Sequence, residues 1–227
     1  MKLYINSEHL NQPTNDITVH FHETLIGYKH IRLFECKLYN SWYNITKENN
    51  ILTFTMTGKK EPSIKVIEPG NYNVETLSQA IGRIKFINFK RMHATGKTLL
   101  ILDEKYKVDF TSPKNYAKML GFEEKVYEKT QISQNRANFL PVSEYVVHCD
   151  IIDTQDYING KRCDYLQILT LQDTNEICEQ VTYSYPNSIP VPIKHIPLNS
   201  IKIWITDQNG NNIDFHGYPI TYQLELL

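Results

Sequence analysis

Hydrophobic and polar positions alternate along much of this chain with a period of two. Ile201, Ile203 and Ile205 alternate with Lys202, Trp204 and Thr206. Tyr218, Ile220, Tyr222, Leu224 and Leu226 alternate with Pro219, Thr221, Gln223 and Glu225. In an earlier run Leu52, Phe54 and Met56 alternate with Ile51, Thr53, Thr55 and Thr57. Successive side chains of a strand point to opposite faces, so each run predicts a strand with one apolar face that needs a second layer beneath it. Further strands are expected within Ile17–Tyr39 (broken at Gly27) and at Ile64–Ile67, Glu144–Ile152 and Tyr165–Leu171. Pro69-Gly70 and Asn159-Gly160 mark turns, and Asn209-Gly210 marks a hairpin.

Helical spacing is found in only two short places. Val74, Leu77, Ile81 and Ile84 share one face behind the cap candidate Asn73, which predicts a helix over 74–84. A second helix is expected from Pro113 to Leu120, capped by Ser112, with Gly121 as the residue that ends it. Residues 1–16 carry no periodic signal and read as a flexible N-terminal arm. The polar stretch Glu128–Pro141 is a candidate boundary. With roughly ten strands at sandwich spacing, the expected fold is all-β: a single jelly-roll domain over 17–227, two packed antiparallel sheets with one or two short helices in the connections.

Composition agrees with this pattern. The chain of 227 residues holds 26 Ile, 18 Thr and 15 Tyr but only 4 Ala. Its 20 Asn, and 19 Lys against 5 Arg, also suit an AT-rich genome, so the pattern carries more weight than the counts. With 24 basic against 25 acidic residues the net charge is −1. That balance does not suit a protein whose whole surface grips nucleic acid. No apolar run reaches the length of a membrane-spanning helix, and the first residues lack the apolar core of a signal peptide. Cys36, Cys149, Cys163 and Cys178 include no C-x-x-C pair and read as buried free thiols.

Several constellations invite chemistry. Thr95-Gly96-Lys97-Thr98 resembles part of a phosphate-binding loop, but Arg91 stands where the earlier glycine is required, and a strand follows instead of a helix; a hairpin turn is expected. His20 and His22 share one strand face beside Glu23, as in metal-binding cupins. Ile26 and Gly27 occupy the place of the third ligand, so a solvated edge strand is expected. Arg83, Lys85, Lys90, Arg91, His93 and Lys97, interleaved with Phe86, Phe89 and Met92, form a basic span. It reads as a solvated hairpin with its aromatic rings in the core, or else as a nucleic-acid-facing patch. Asp214-Phe-His216-Gly reads as a turn in preference to an acid–base pair. Asn44-Ile-Thr46 is a formal glycosylation sequon that is expected to be unused. These residues supply no catalytic, cofactor-binding or metal site.

The order of certain segments adds a further expectation. They are Tyr39-Asn-Ser-Trp-Tyr-Asn-Ile-Thr46; Ile67-Glu-Pro-Gly-Asn-Tyr72; Val108-Asp-Phe110 leading to Leu120-Gly-Phe122; Val147-His-Cys-Asp-Ile-Ile152 before Ile158-Asn-Gly160; and Ile201 to Gly210 followed by Ile213-Asp-Phe215 and Tyr222-Gln-Leu224. In this order, over most of residues 31–227, the chain resembles the penton, or minor capsid, proteins of Polinton/Maverick elements, adintoviruses and virophages. The resemblance implies a single jelly roll that forms homopentamers at capsid vertices beside a double-jelly-roll major capsid protein. It implies a virion location, assembly inside the host cell, and no enzymatic residues or cofactor. A cupin-like enzyme using His20 and His22, or a carbohydrate- or receptor-binding jelly roll, are the alternative functions.

Overall fold

The computed structural model describes residues 1–11, 15–82, 84, 86–140, 142–153, 157–158, 160–162, 164–171, 178–194 and 197–227. The chain forms two compact units, one made of Met1–Trp42 with Val142–Leu227 and the other of Tyr43–Pro141. Three strands and one short helix open the first unit: β1 (Lys2–Asn6), helix α1 (Ser7–Leu10), β2 (Asp16–Leu25) and β3 (His30–Tyr39). The second unit contributes β4 (Ile51–Met56), β5 (Ser63–Val66), β6 (Ile87–Met92), β7 (Lys97–Leu102), β8 (Tyr106–Asp109), β9 (Val126–Tyr127) and β10 (Gln131–Ile132). The chain then returns to the first unit with β11 (Glu144–Cys149), β12 (Tyr157–Ile158), β13 (Lys161–Arg162), β14 (Tyr165–Thr170), β15 (Gln180–Ser184), β16 (Val191–Pro192), β17 (Leu198–Asp207) and β18 (Thr221–Leu226).

The first unit is a jelly roll. One sheet runs β1-β18-β3-β15, with β16 also on β3, and the other runs β14-β11-β17-β2. Counting its eight main strands along the chain, the orders are 1-8-3-6 and 5-4-7-2, so consecutive strands change sheet at most steps and every pairing is antiparallel. Alternation supplies the core. Ile201, Ile203 and Ile205 are fully buried and meet Ile31, Leu33, Cys36, Leu38, Tyr222 and Leu224 from the facing sheet, while Lys202 and Trp204 point outward. A bulge keeps β3 in phase: Gln223 pairs with Glu35 and Leu224 with Leu33, so Phe34 is the extra residue. That insertion lets Leu33 and Cys36, three apart, share the inner face.

Three expectations change here. The flexible arm is partly a strand: β1 pairs with β18 from Lys2–Glu225 to Asn6–Thr221, and Ile5 is buried. Five residues carry too little periodicity to announce a strand, and it is the apolar face of β18 that recruits them. The expected single domain over 17–227 gives way to two units, because the chain between β3 and β11 builds a core of its own. The end of the candidate boundary at Glu128–Pro141 coincides with the return crossing. Asn209-Gly210 makes a turn over Asp207, whose carboxylate accepts from the backbone N–H groups of Asn209 and Asn211 (both 2.8 Å). The hairpin it closes is minimal, a single antiparallel bridge between Thr206 and Asn212, and it does not join β17 to β18, which belong to different sheets.

The second unit holds the sheets β5-β4-β8-β9 and β10-β7-β6. Its core centres on Phe89, Phe110, Tyr116, Phe122 and Tyr127, with ring centroids 5.1–6.5 Å apart. Helix α2 (Val74–Ile81) begins at Asn73 as expected. Asn73 Oδ1 accepts from the Thr76 N–H, and Thr76 Oγ1 accepts from the Asn73 N–H (2.8 and 2.9 Å). It buries Val74, Leu77 and Ile81 and stops there, three residues short of the expected end. The second expected helix shrinks to α3 (Ala117–Leu120). Lys114 takes φ +63°, and Asn115 binds the carbonyls of Phe110 and Ser112 through Nδ2 and the Ala117 N–H through Oδ1. The loop before Ala117 is thus a side-chain-bonded turn, and Ser112 caps nothing. Gly121 does end the helix, at φ +83°, where a Cβ would sit 2.3 Å from the Asn135 carbonyl oxygen.

Truncating Ile203 to Ala should cost about 3 kcal/mol, as for other fully buried isoleucines, whereas Lys202→Ala should cost about 0.5 kcal/mol or less. Urea titration of the two variants checks this two-sidedness of β17.

Candidate interaction surfaces

Among the described residues the two sheets of the jelly roll end on two sides. β1 and β2 border one, and β14 and β15 the other. The first side is charged or titratable along its length, with Lys2 on β1 and Asp16, His20, His22 and Glu23 on β2. The second is not: β14 (Tyr-Leu-Gln-Ile-Leu-Thr) and β15 (Gln-Val-Thr-Tyr-Ser) contain no charged residue and no proline. Between them opens a cleft of about 790 Å³ lined by Tyr165, Ile168, Ser184, Tyr185, Ile189 and Val191 among others, none of them charged. Ile189 at its rim is 85% exposed.

His20 and His22 project together into solvent from β2, an edge strand, as the solvated reading expected. Among the described residues no three His, Cys, Asp or Glu side chains converge as metal ligands. Thr95-Gly96-Lys97-Thr98 forms the turn between β6 and β7, with Gly96 at φ +67° and Met92 paired with Lys97. In the basic span Lys90, Arg91 and His93 are exposed, Phe89 lies in the core, and Phe86 stacks on Tyr106 at 3.5 Å. The aromatic side chains there are spent on packing. Arg83 and Lys85 lie outside the described residues, as does Cys163. Asp214 accepts from the His216 N–H at 2.7 Å and lies 3.3 Å from its Nδ1, within a turn that buries Phe215.

The interior groups are held uncharged. Burial pushes the Cys149 thiol up to about 12 and raises Cys36 further, and the Tyr183 phenol moves up to about 12 for the same reason. Such thiols are poor nucleophiles. Cys178 differs from the expectation of burial, for it is exposed.

The second unit contains a smaller cleft of about 360 Å³ lined by Asn44, Asn49, Asn115, Asn138, Lys118 and Glu124 among others. Four amides suggest a polar ligand, but all four already brace the protein, Asn115 as described above and Asn138 by accepting from the Leu140 N–H at 3.0 Å. Asn44 Nδ2 donates to the carbonyls of Tyr72 (2.6 Å) and Phe139 (2.9 Å) and to Asn71 Oδ1, and its Oδ1 accepts from the Tyr72 N–H. Asn49 ties Thr46 to the Asn44 carbonyl. The amide nitrogen of the sequon is therefore buried and engaged, which gives a structural reason for the site to stay unmodified.

One buried histidine escaped the sequence reading. His148 lies on the outer face of β11, stacked on Trp204 at 5.0 Å with Nε2 2.8 Å from Thr206 Oγ1. The ring also hydrogen-bonds to the backbone of Asp164, so the imidazole is held on two sides. Burial lowers its pKa, and the Asp164 carbonyl opposes this only in part. The alternation that flags β11 as a strand says nothing about what covers its outer face.

No protein-family model matches the sequence, and no curated protein matches it. Solved structures do. The mavirus penton protein aligns over 100% of this chain and 100% of its own, with a TM-score of 0.51 at 12% identity. This chain has the mavirus penton fold. A chain of the Sputnik virophage particle aligns over 100% of this chain and 97% of its own, with a TM-score of 0.46 at 10% identity. The aligned span of the mavirus comparison takes in the segment between β3 and β11 as well as the jelly roll.

Two outcomes follow from the buried polar groups. His148 takes up its proton less readily folded than unfolded, so folding stability should fall as pH drops through its ordinary value near 6.5 and recover above it. Denaturation at pH 7 and pH 5 should show a smaller loss for His148→Gln than for the unsubstituted chain. Asn44→Ala strands two backbone carbonyls and should destabilise the second unit by about 2–3 kcal/mol, measurable as an early transition in thermal melts.

Proposed function

We propose that this chain is a penton-type capsid subunit of a Polinton-, adintovirus- or virophage-like agent. Five copies form a ring at each vertex beside a double-jelly-roll major capsid protein. The observation that carries this reading is the fold shared with the mavirus penton protein along the whole of both chains. The eight-stranded jelly roll, with sheet orders β1-β18-β3-β15 and β14-β11-β17-β2, supports it. So does the near-zero net charge, which lets neighbouring copies approach without strong mutual repulsion. In this reading the protein works by association, and its interior thiols and phenols serve only as packing.

Co-expression with the cognate major capsid protein, followed by cryo-EM of the particles, tests the proposal. Density for this chain at the five-fold vertices is the expected result. Occupancy only at other positions, or exclusion from the particles, overturns it.

A further inference from the structure

Edge strands that carry neither charge nor proline are exposed templates for another chain, and soluble proteins normally guard them. Among the described residues the charges gather on one side of the jelly roll, while on the other β14 and β15 carry none and the one edge proline is Pro192 of β16, further along β3. β2 bears Asp16, His20, His22 and Glu23, whereas β14 and β15 bear none of these devices and flank an uncharged cleft with Ile189 at its rim. A pair of uncharged edges beside an uncharged cleft with an exposed isoleucine at its rim calls for a cover.

The charged side carries an apolar knob. Tyr4 on β1 is 66% exposed, the most exposed aromatic side chain among the described residues. Its height is set by the sheet register. Tyr4 pairs with Gln223, Gln223 with Glu35, and Glu35 with Ser184, so one cross-strand row begins at Tyr4 and ends at the cleft wall. Ser188, beside Ile189, donates to the Leu33 carbonyl only two residues along β3 from Glu35. Knob and cleft therefore stand at opposite edges of one sheet and at the same level along the strands. Copies placed side by side meet Tyr4 to cleft without slipping along the strand direction. Such a head-to-tail contact closes into a ring when the rotation from copy to copy completes a full turn without offset along the axis, and winds into a filament otherwise.

We infer that the β14–β15 cleft receives Tyr4 of a second copy, so that the β1 edge of each subunit covers the uncharged edges of its neighbour. This inference rests on the ring-forming capsid reading. The phenol suits the site: its ring meets Ile168, Tyr185 and Ile189, and its hydroxyl meets the polar wall of Ser184 and Ser188.

Tyr4→Glu and Ile189→Asp, two acidic substitutions that cannot pair with each other, test the contact in this chain by sedimentation velocity. Both positions are exposed, and unchanged melting curves confirm intact folding. Each variant alone should associate at least about tenfold more weakly than the unsubstituted chain. Each retains one intact side, so an equimolar mixture should form dimers and nothing larger. If either variant alone assembles as the unsubstituted chain does, or if the mixture gives no dimer, the pairing is overturned while the capsid reading stands. If the unsubstituted chain assembles only with the major capsid protein, vertex occupancy in cryo-EM replaces sedimentation, and full occupancy by either variant overturns the pairing. An unsubstituted chain that neither self-associates nor enters particles overturns both readings.

Discussion

The jelly roll rests on one constraint: a sheet face of isoleucine, leucine and tyrosine is stable only against a second face that excludes water. Ile201, Ile203 and Ile205 supply one face, and Leu33, Cys36, Tyr222 and Leu224 help supply the other. Everything else in the first unit follows from keeping those faces in phase. The bulge at Phe34 realigns β3, the register shift between Val147 and His148 realigns β11, and the edge strand β1 is ordered because β18 is already in place.

Strands were the legible part of the sequence, because their alternation is a local property. β17 and β18 appear where their patterns place them, and α2 begins at the asparagine that caps it. Non-local facts were not legible. Nothing in residues 1–6 announces that they will extend a sheet whose next strand lies at the other end of the chain. The insertion between β3 and β11 carries no compositional linker, so its independence shows only when Phe89, Phe110 and Phe122 are found packing among themselves. His148 illustrates the same limit, since the period of a strand assigns a side to each residue but not the neighbours on that side.

The abundance of asparagine, which the sequence alone could ascribe to genome composition, has a structural use. Asn6 and Asn73 cap helices, and Asn44, Asn49, Asn50 and Asn115 bind backbone groups of loops. A short side chain carrying both a donor and an acceptor can replace the backbone partners that irregular segments lack. The loops of the second unit are held by this means, which is why its amide-lined cleft serves to fasten the protein.

The placement of the second unit within the chain bears on the order in which the molecule is made. Among the described residues β1, β2 and β3 do not pair with one another; their partners are β15, β16, β17 and β18. On the ribosome the first three strands thus emerge with nothing to bind, while Tyr43–Pro141 forms one contiguous stretch that can complete its own core. The long sequence separations make closure of the sandwich a late and slow event. Until β15 to β18 have been made, the nascent polypeptide holds a finished insert attached to a leading segment whose apolar strands still lack their partners.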